Sequence, residues 1–173
     1  MDRFSGFSHQ EQDARYWSEV EEAVEVLHEP KPIEAILALR TVIQSSSHNY
    51  YAYYYIGIAL FETGELEAAR DAYRAALTLA PQYLGARVHL SHVLRMLSNA
   101  REAVQQAEIA YKQSPKDPDV WHALGMAYAQ RGRKEEACRW LEAYLHSSPD
   151  FDVSLEVRAV LEALSPTLDS EED

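Results

Sequence analysis

Residues 118–149, PDVWHALGMAYAQRGRKEEACRWLEAYLHSSP, read as two apolar-periodic helical segments broken near Gly132 and closed by Pro149. The pattern recurs along the chain. Pro81, Pro115 and Pro149 lie 34 residues apart, and Ala35, Ala69, Ala103 and Ala137 keep the same interval. Leu60, Leu94 and Tyr128 fill one packing column. Gly57, Ser91 and Gly125 fill a second, and Gly64, Ser98 and Gly132 a third. A fixed period of this length is the signature of a helical repeat array, in which each unit buries its apolar face against the next.

The small residues have distinct steric tasks. Gly57, Ser91 and Gly125 let the two helices of a unit approach closely, with the alanine column facing them from the second helix. Gly64 suits a helix C-terminal position needing φ > 0, and the prolines mark the boundary between units.

Composition agrees with an all-helical protein. The 173 residues are 47% hydrophobic and 25% charged, with only 6 glycines and 7 prolines. A net charge of −12 opposes association with nucleic acid or anionic lipid, so neither is expected as a partner. The lone cysteine, Cys138, has no internal disulfide partner, which suits a reducing compartment. MDRFSGFSHQ at the N-terminus lacks the apolar core of a signal peptide, and no run approaches a membrane span. A cytoplasmic location is expected.

The columns resemble the tetratricopeptide repeat (TPR) family, whose pattern is W-x2-L-G-x2-Y, then A-x3-F, then P. Trp121, Leu124, Gly125, Tyr128, Ala137, Leu141 and Pro149 match it best. Tyr53, Ile56, Gly57, Leu60, Ala69, Tyr73 and Pro81 form an earlier copy. The copy between them, with Leu90, Ser91, Leu94, Ala103, Ala107 and Pro115, departs at Arg87, where an aromatic is usual. No motif identifies a subfamily. The resemblance implies an all-α, right-handed superhelical solenoid of antiparallel helix pairs with a C-terminal capping helix.

The expected organisation is a flexible leader (1–13), a degenerate first repeat (14–49), three repeats (50–83, 84–117 and 118–151), a capping helix (152–165) and an acidic disordered tail (166–173). In the degenerate repeat, Trp17, Val20, Val24 and Leu27 form one stripe, with Trp17 as the packing aromatic and HEPKP as a lengthened turn. In the cap, Val153, Val157, Val160, Leu161 and Leu164 share a face. Phe4 and Phe7 of the leader are expected to visit an aromatic groove.

The densest aromatic run, NYYAYYYIGIAL at residues 49–60, carries five tyrosines in six positions. In the family register Tyr53 packs and Tyr50 stands at the helix start. Tyr51, Tyr54, Tyr55, Ile58 and Glu62 then line the concave groove. The next repeat contributes Val88, His89, His92, Arg95 and Met96, and the third Asp119, His122, Met126 and Gln130. Tyrosine offers large contact area and a hydroxyl at small entropic cost, which suits a binding surface. The ordinary structural alternative is that these rings stack on flanking helices and do nothing else.

Catalytic constellations are lacking. Cys138 falls on a second helix, away from the groove histidines, and no glycine-rich phosphate loop occurs, so the protein is expected not to be an enzyme and to need no cofactor. His89, His92 and His122 could together hold zinc, a reading weaker than ordinary groove histidines. The carboxylate clamp of chaperone-binding repeats needs cations and amides where this chain has Tyr54, Ile58, His89, Asp119 and Ala123, so that role fails. The expected function is a protein-interaction module, an adaptor or chaperone that holds an apolar or aromatic segment of a partner protein or peptide. A type III secretion chaperone of the TPR class is the alternative, and a homo-oligomer is compatible with either.

Overall fold

A computed structural model describes residues 8–29 and 31–165 of the protein. The expected tail, and Phe4 and Phe7 of the leader, lie outside the described residues. Among those residues the chain forms nine α-helices and no strand. They are α1 (His9–His28), α2 (Pro32–Ser45), α3 (Tyr50–Glu62), α4 (Leu66–Leu79), α5 (Leu84–Met96), α6 (Ala100–Gln113), α7 (Pro118–Gln130), α8 (Lys134–His146) and α9 (Phe151–Leu164). None is long and apolar enough to cross a membrane. The helices fall into two compact units, residues 1–86 and 87–173.

The α3–α4, α5–α6 and α7–α8 hairpins turn by one chemistry. At the end of α3, Gly64 sits at φ 83°. Its N–H reaches the Phe61 carbonyl at 3.0 Å, and the Glu65 N–H reaches Leu60 at 2.8 Å. This pair of bonds is a Schellman cap, which needs one left-handed residue. The same two bonds recur after α5 (Ser98 to Arg95, Asn99 to Leu94) and after α7 (Gly132 to Ala129, Arg133 to Tyr128). Ser98 takes the left-handed conformation, φ 60°, that its glycine counterparts adopt freely.

Close approach within a hairpin follows the small-residue column. In the first unit a Cβ on Gly57 would stand 2.6 Å from the Tyr73 ring, which is fully buried. In the second, a Cβ on Gly125 would stand 2.5 Å from Leu141 Cδ2 and 3.1 Å from the Leu141 backbone nitrogen. Ser91, where the column lacks glycine, donates its hydroxyl to the Ala103 carbonyl at 2.9 Å. Ala69, Ala103 and Ala137 are all at zero exposure. Arg87, the departure from the aromatic pattern, donates from Nη1 to Gln106 Oε1 at 2.9 Å and so ties α5 to α6.

In the second unit α9 lays Val153, Val157, Val160, Leu161 and Leu164 against Met126, Leu141 and Tyr144, with Val157 fully buried.

Two local expectations are corrected at the start of the chain. Helix α1 begins at His9, inside the span expected to be leader, because Ser8 and Glu11 form a reciprocal capping box. Trp17 is not a core residue. It is 38% exposed, while Val20, Ala23, Val24 and Leu27 carry the buried stripe. Asn49 supplies the tie that the degenerate repeat lacks. Fully buried, it donates to the Tyr16 carbonyl at 2.8 Å and to Glu19 Oε2 at 3.1 Å, and it accepts from the Ala52 N–H at 3.2 Å.

Gly57→Ala and Gly125→Ala should each lower stability by about 1–3 kcal/mol, because a ring or a backbone atom must move to admit one methyl. Gly64→Ala meets no atom within 4 Å and should cost only its backbone strain, about 1–2 kcal/mol. Urea unfolding measures both, and a Gly125→Ala midpoint equal to wild type would refute the close-approach account. Truncation after residue 150 should uncover Met126 and Tyr144, lower the melting temperature and promote self-association. A clean monomer melting like the full chain would show that α9 is no cap.

Candidate functional site

In the first unit the tyrosines of α3 join rings from three other segments. Trp17 of α1 meets Tyr51 at 5.7 Å between centroids and 79° between planes, and Tyr55 at 6.0 Å and 59°. Tyr83, in the turn between α4 and α5, contacts Tyr50 at 5.2 Å, Tyr51 at 5.6 Å and Tyr54 at 4.9 Å. Tyr54 also leans on Tyr55 at 5.0 Å and on buried Tyr73 of α4 at 6.1 Å. Most of these pairs are edge-to-face, the arrangement the aromatic quadrupole favours by about 0.5–1.5 kcal/mol each. Tyr51, Tyr54, Tyr55 and Ile58 are half-buried and Glu62 is exposed.

Burial raises the phenol pKa values of Tyr55, Tyr73 and Tyr83 above the usual range. Burial does the same for Tyr50, reinforced by the hydrogen bond to Asp13. These rings therefore remain neutral hydrogen-bond donors at physiological pH.

Sequence reasoning missed Trp17 and Tyr83 as members of this surface. Trp17 begins an apolar stripe, which in the sequence points to packing. Tyr83 follows a proline in an inter-helix turn, where no helical period points to a face. The signal available was only the aromatic type itself.

In the second unit, α5 presents His89, His92, Arg95 and Met96, and α7 presents Asp119, His122 and Gln130. Met96, Asp119 and Gln130 are exposed, whereas His89, His92, Arg95 and His122 are half-buried. Gln130 is held by donating from Nε2 to the Arg95 carbonyl at 2.9 Å. Val88 and Met126 are corrections to the expected groove. Val88 is 5% exposed, because α5 also buries Ala86, Leu90, Ser91, Val93 and Leu94 and so turns inward over a broad face. Met126 is 4% exposed, within the cluster that α9 closes.

The histidines lie in ring contact, tilted against each other at 41°. His92 lies 5.2 Å from His122, and His122 lies nearly parallel to Tyr144 at 4.8 Å and 27°. Among the described residues no group of three or more His, Cys, Asp or Glu is placed to hold a metal ion. The zinc reading is withdrawn on that geometry. Burial pushes the His92 pKa down to about 3 and lowers that of His122, so both imidazoles are neutral at pH 7. His122 Nε2 is buried without a hydrogen-bond partner among the described residues. An unprotonated acceptor there costs less than an unpaired buried N–H or a buried cation.

This predicts the sign of the pH dependence. Unfolded histidine binds a proton near pH 6.5, while folded His92 and His122 resist it, so the unfolded state takes up more protons. Stability should therefore fall as pH drops from 7 towards 5, by at most about 1.4 kcal/mol per pH unit for each histidine. His92→Asn should flatten the slope of the urea midpoint against pH. An unaltered slope would show that His92 titrates as it does in the unfolded chain.

Comparison with known proteins supports the repeat reading. The profile of the tetratricopeptide repeat family matches residues 4–156. Among solved structures, MamA from Desulfovibrio magneticus is similar at 19% identity, covering 91% of this chain and 97% of that one with a TM-score of 0.68. TTC0263, a thermophilic TPR protein of Thermus thermophilus, is similar at 17% identity, covering 86% and 80% with a TM-score of 0.69. The second TPR domain of human RPAP3, determined in complex with an HSP70 peptide, is similar at 17% identity, covering 66% and 97% with a TM-score of 0.62. The sequence matches none of the curated proteins with which it was compared. Repeat period, hairpin caps and family profile agree: the chain belongs to the tetratricopeptide repeat family, with its all-α fold.

Proposed function

We propose that this chain is a non-catalytic adaptor or chaperone whose first unit binds an apolar or aromatic segment of a partner protein on the surface formed by Trp17, Tyr51 and Tyr55. The observation that carries the proposal is Trp17, an indole left 38% exposed while resting on two tyrosines. Large aromatic surface of this kind is characteristic of interaction sites, where tryptophan and tyrosine dominate the binding energy. Its anchors are also pre-ordered. Each ring is held by others, so little side-chain entropy remains to be lost on binding.

The likeness to an RPAP3 domain seen with an HSP70 peptide supports peptide binding as a use of this fold. The chemistry of that peptide, SGPTIEEVD, is not carried over, because the clamp positions here are Tyr54, Ile58, His89, Asp119 and Ala123. Among the described residues no arrangement favours a type III secretion chaperone over the general reading.

Trp17→Ala combined with Tyr55→Ala should weaken capture of the native partner by ~2 kcal/mol or more, about thirtyfold, while the lost ring contacts lower the melting temperature without unfolding the chain. Leu90→Ala, at a core position 2% exposed, should instead cost about 2–5 kcal/mol of stability. Affinity capture from the native cell with both variants, followed by titration of the captured segment, separates the two effects. Undiminished capture by the double variant would eliminate the aromatic surface as the binding site.

A further inference from the structure

The first unit holds a cavity of about 990 Å³ beside the aromatic surface, at the edge where α1 meets the 45–48 and 79–83 turns. Asp13, Tyr16, Tyr50 and Tyr83 line it. Tyr16 and Tyr50 meet at 6.2 Å and 88°, and Tyr50 and Tyr83 at 5.2 Å and 64°. Tyr50 donates its hydroxyl to Asp13 Oδ1 at 2.6 Å, which fixes both the carboxylate and the ring. Asp13 keeps 37% of its side chain exposed, and its nearest possible cation, His9 Nδ1, stands 3.9 Å from Oδ2.

We infer that this cavity is a recognition site for a cationic side chain, an arginine or lysine, carried by a polypeptide partner. A carboxylate among tyrosine rings is the chemistry that holds such a group, by a charge-assisted hydrogen bond and by attraction to the negative π faces. The volume exceeds one side chain and admits its neighbours in the sequence. The chain's net charge of −12 draws cationic segments towards it.

Of the groups that would favour an anion, His9 and His48 also line the cavity, His9 Nδ1 standing 3.9 Å from Asp13 Oδ2 and His48 Nδ1 3.3 Å from Ser47 Oγ. Arg15 lines the cavity but is paired with Glu19 at 3.0 Å. The amino end of α1 is satisfied by the Ser8–Glu11 box, and Asn49 caps α3. Tyr50 has its phenol pKa raised by burial and by the hydrogen bond to Asp13, so it stays a proton donor to that side chain.

The test is a titration of the full chain with Nα-acetyl-arginine methylamide, its lysine counterpart, the neutral citrulline isostere and the acidic glutamate analogue. Tyrosine ring resonances report binding, with Tyr16, Tyr50 and Tyr83 assigned by single Tyr→Phe variants. Saturable shifts from the arginine or lysine probe are expected, with citrulline and glutamate at least tenfold weaker. Asp13→Asn should reduce cationic binding at least tenfold, and Asp13→Glu should restore part of it. Citrulline or glutamate binding as tightly as arginine, no saturable shift from either cation, or an Asp13→Asn protein that binds like wild type would each overturn the inference. The probe series on the wild-type chain decides even if Asp13→Asn destabilises α1. Trp17→Ala with Tyr55→Ala leaves Asp13 in place, so failure of the aromatic-surface reading and failure of this one are told apart.

Discussion

The α3–α4, α5–α6 and α7–α8 hairpins depend on how closely two helices can lie at one small residue in each. Gly57 lets the Tyr73 ring rest on the α3 backbone, and Gly125 does the same for Leu141 on α7. With side chains there, each hairpin would open and the alanine column would lose its contacts. The approach is tight enough that Ser91, one hydroxymethyl larger than glycine, is admitted only with its hydroxyl spent on the facing Ala103 carbonyl. A buried hydroxyl without that acceptor would cost more than the missing glycine saves.

Close packing inside the hairpins has a consequence at the surface. When small residues carry the helix-to-helix contact, large side chains on the first helix need not all be used for packing. Tyr73, from a second helix, is wholly buried, whereas Tyr51, Tyr54 and Tyr55 remain half-buried. The rings lean on one another more than on the core, and a ring network of this kind is rigid without being consumed by the fold. The second unit uses the same geometry differently. There the column His92–His122–Tyr144 runs into the cluster closed by α9. Its histidines are held neutral by burial rather than offered as charges.

Much of the fold was legible because the period is physical. Proline, glycine and alanine recur where a boundary, a left-handed residue and a close contact are needed, and those requirements do not depend on distant residues. The left-handed conformation at Gly64 followed from the turn chemistry alone, and Ser98 and Gly132, which share its column, adopt it too. The first repeat was less legible because its lock is polar. Asn49 and Glu19 hold α1 to α3 by side-chain hydrogen bonds, and a search for apolar stripes passes over them. The candidate site was legible only in part. Register named the face of α3, but it could not tell that Val88 and Met126 turn inward, since that depends on what covers them. Nor could it place Tyr83, which lies in a turn outside any helical period.

Four of the five tyrosines of residues 50–55 divide by what their hydroxyls and rings touch. Tyr50 binds a carboxylate, Tyr54 stands over Gly85 and Tyr83, and Tyr51 and Tyr55 support Trp17. Phenylalanine could supply the same ring contacts, but it could not hold Asp13, and it would leave a half-buried surface wholly apolar. Tyrosine lets one short helix meet both demands, cohesion on its inner side and a wettable face outward. Where α1, α3 and the 79–83 turn converge, the tyrosines therefore hold one another by their rings while their hydroxyls keep the half-buried face polar.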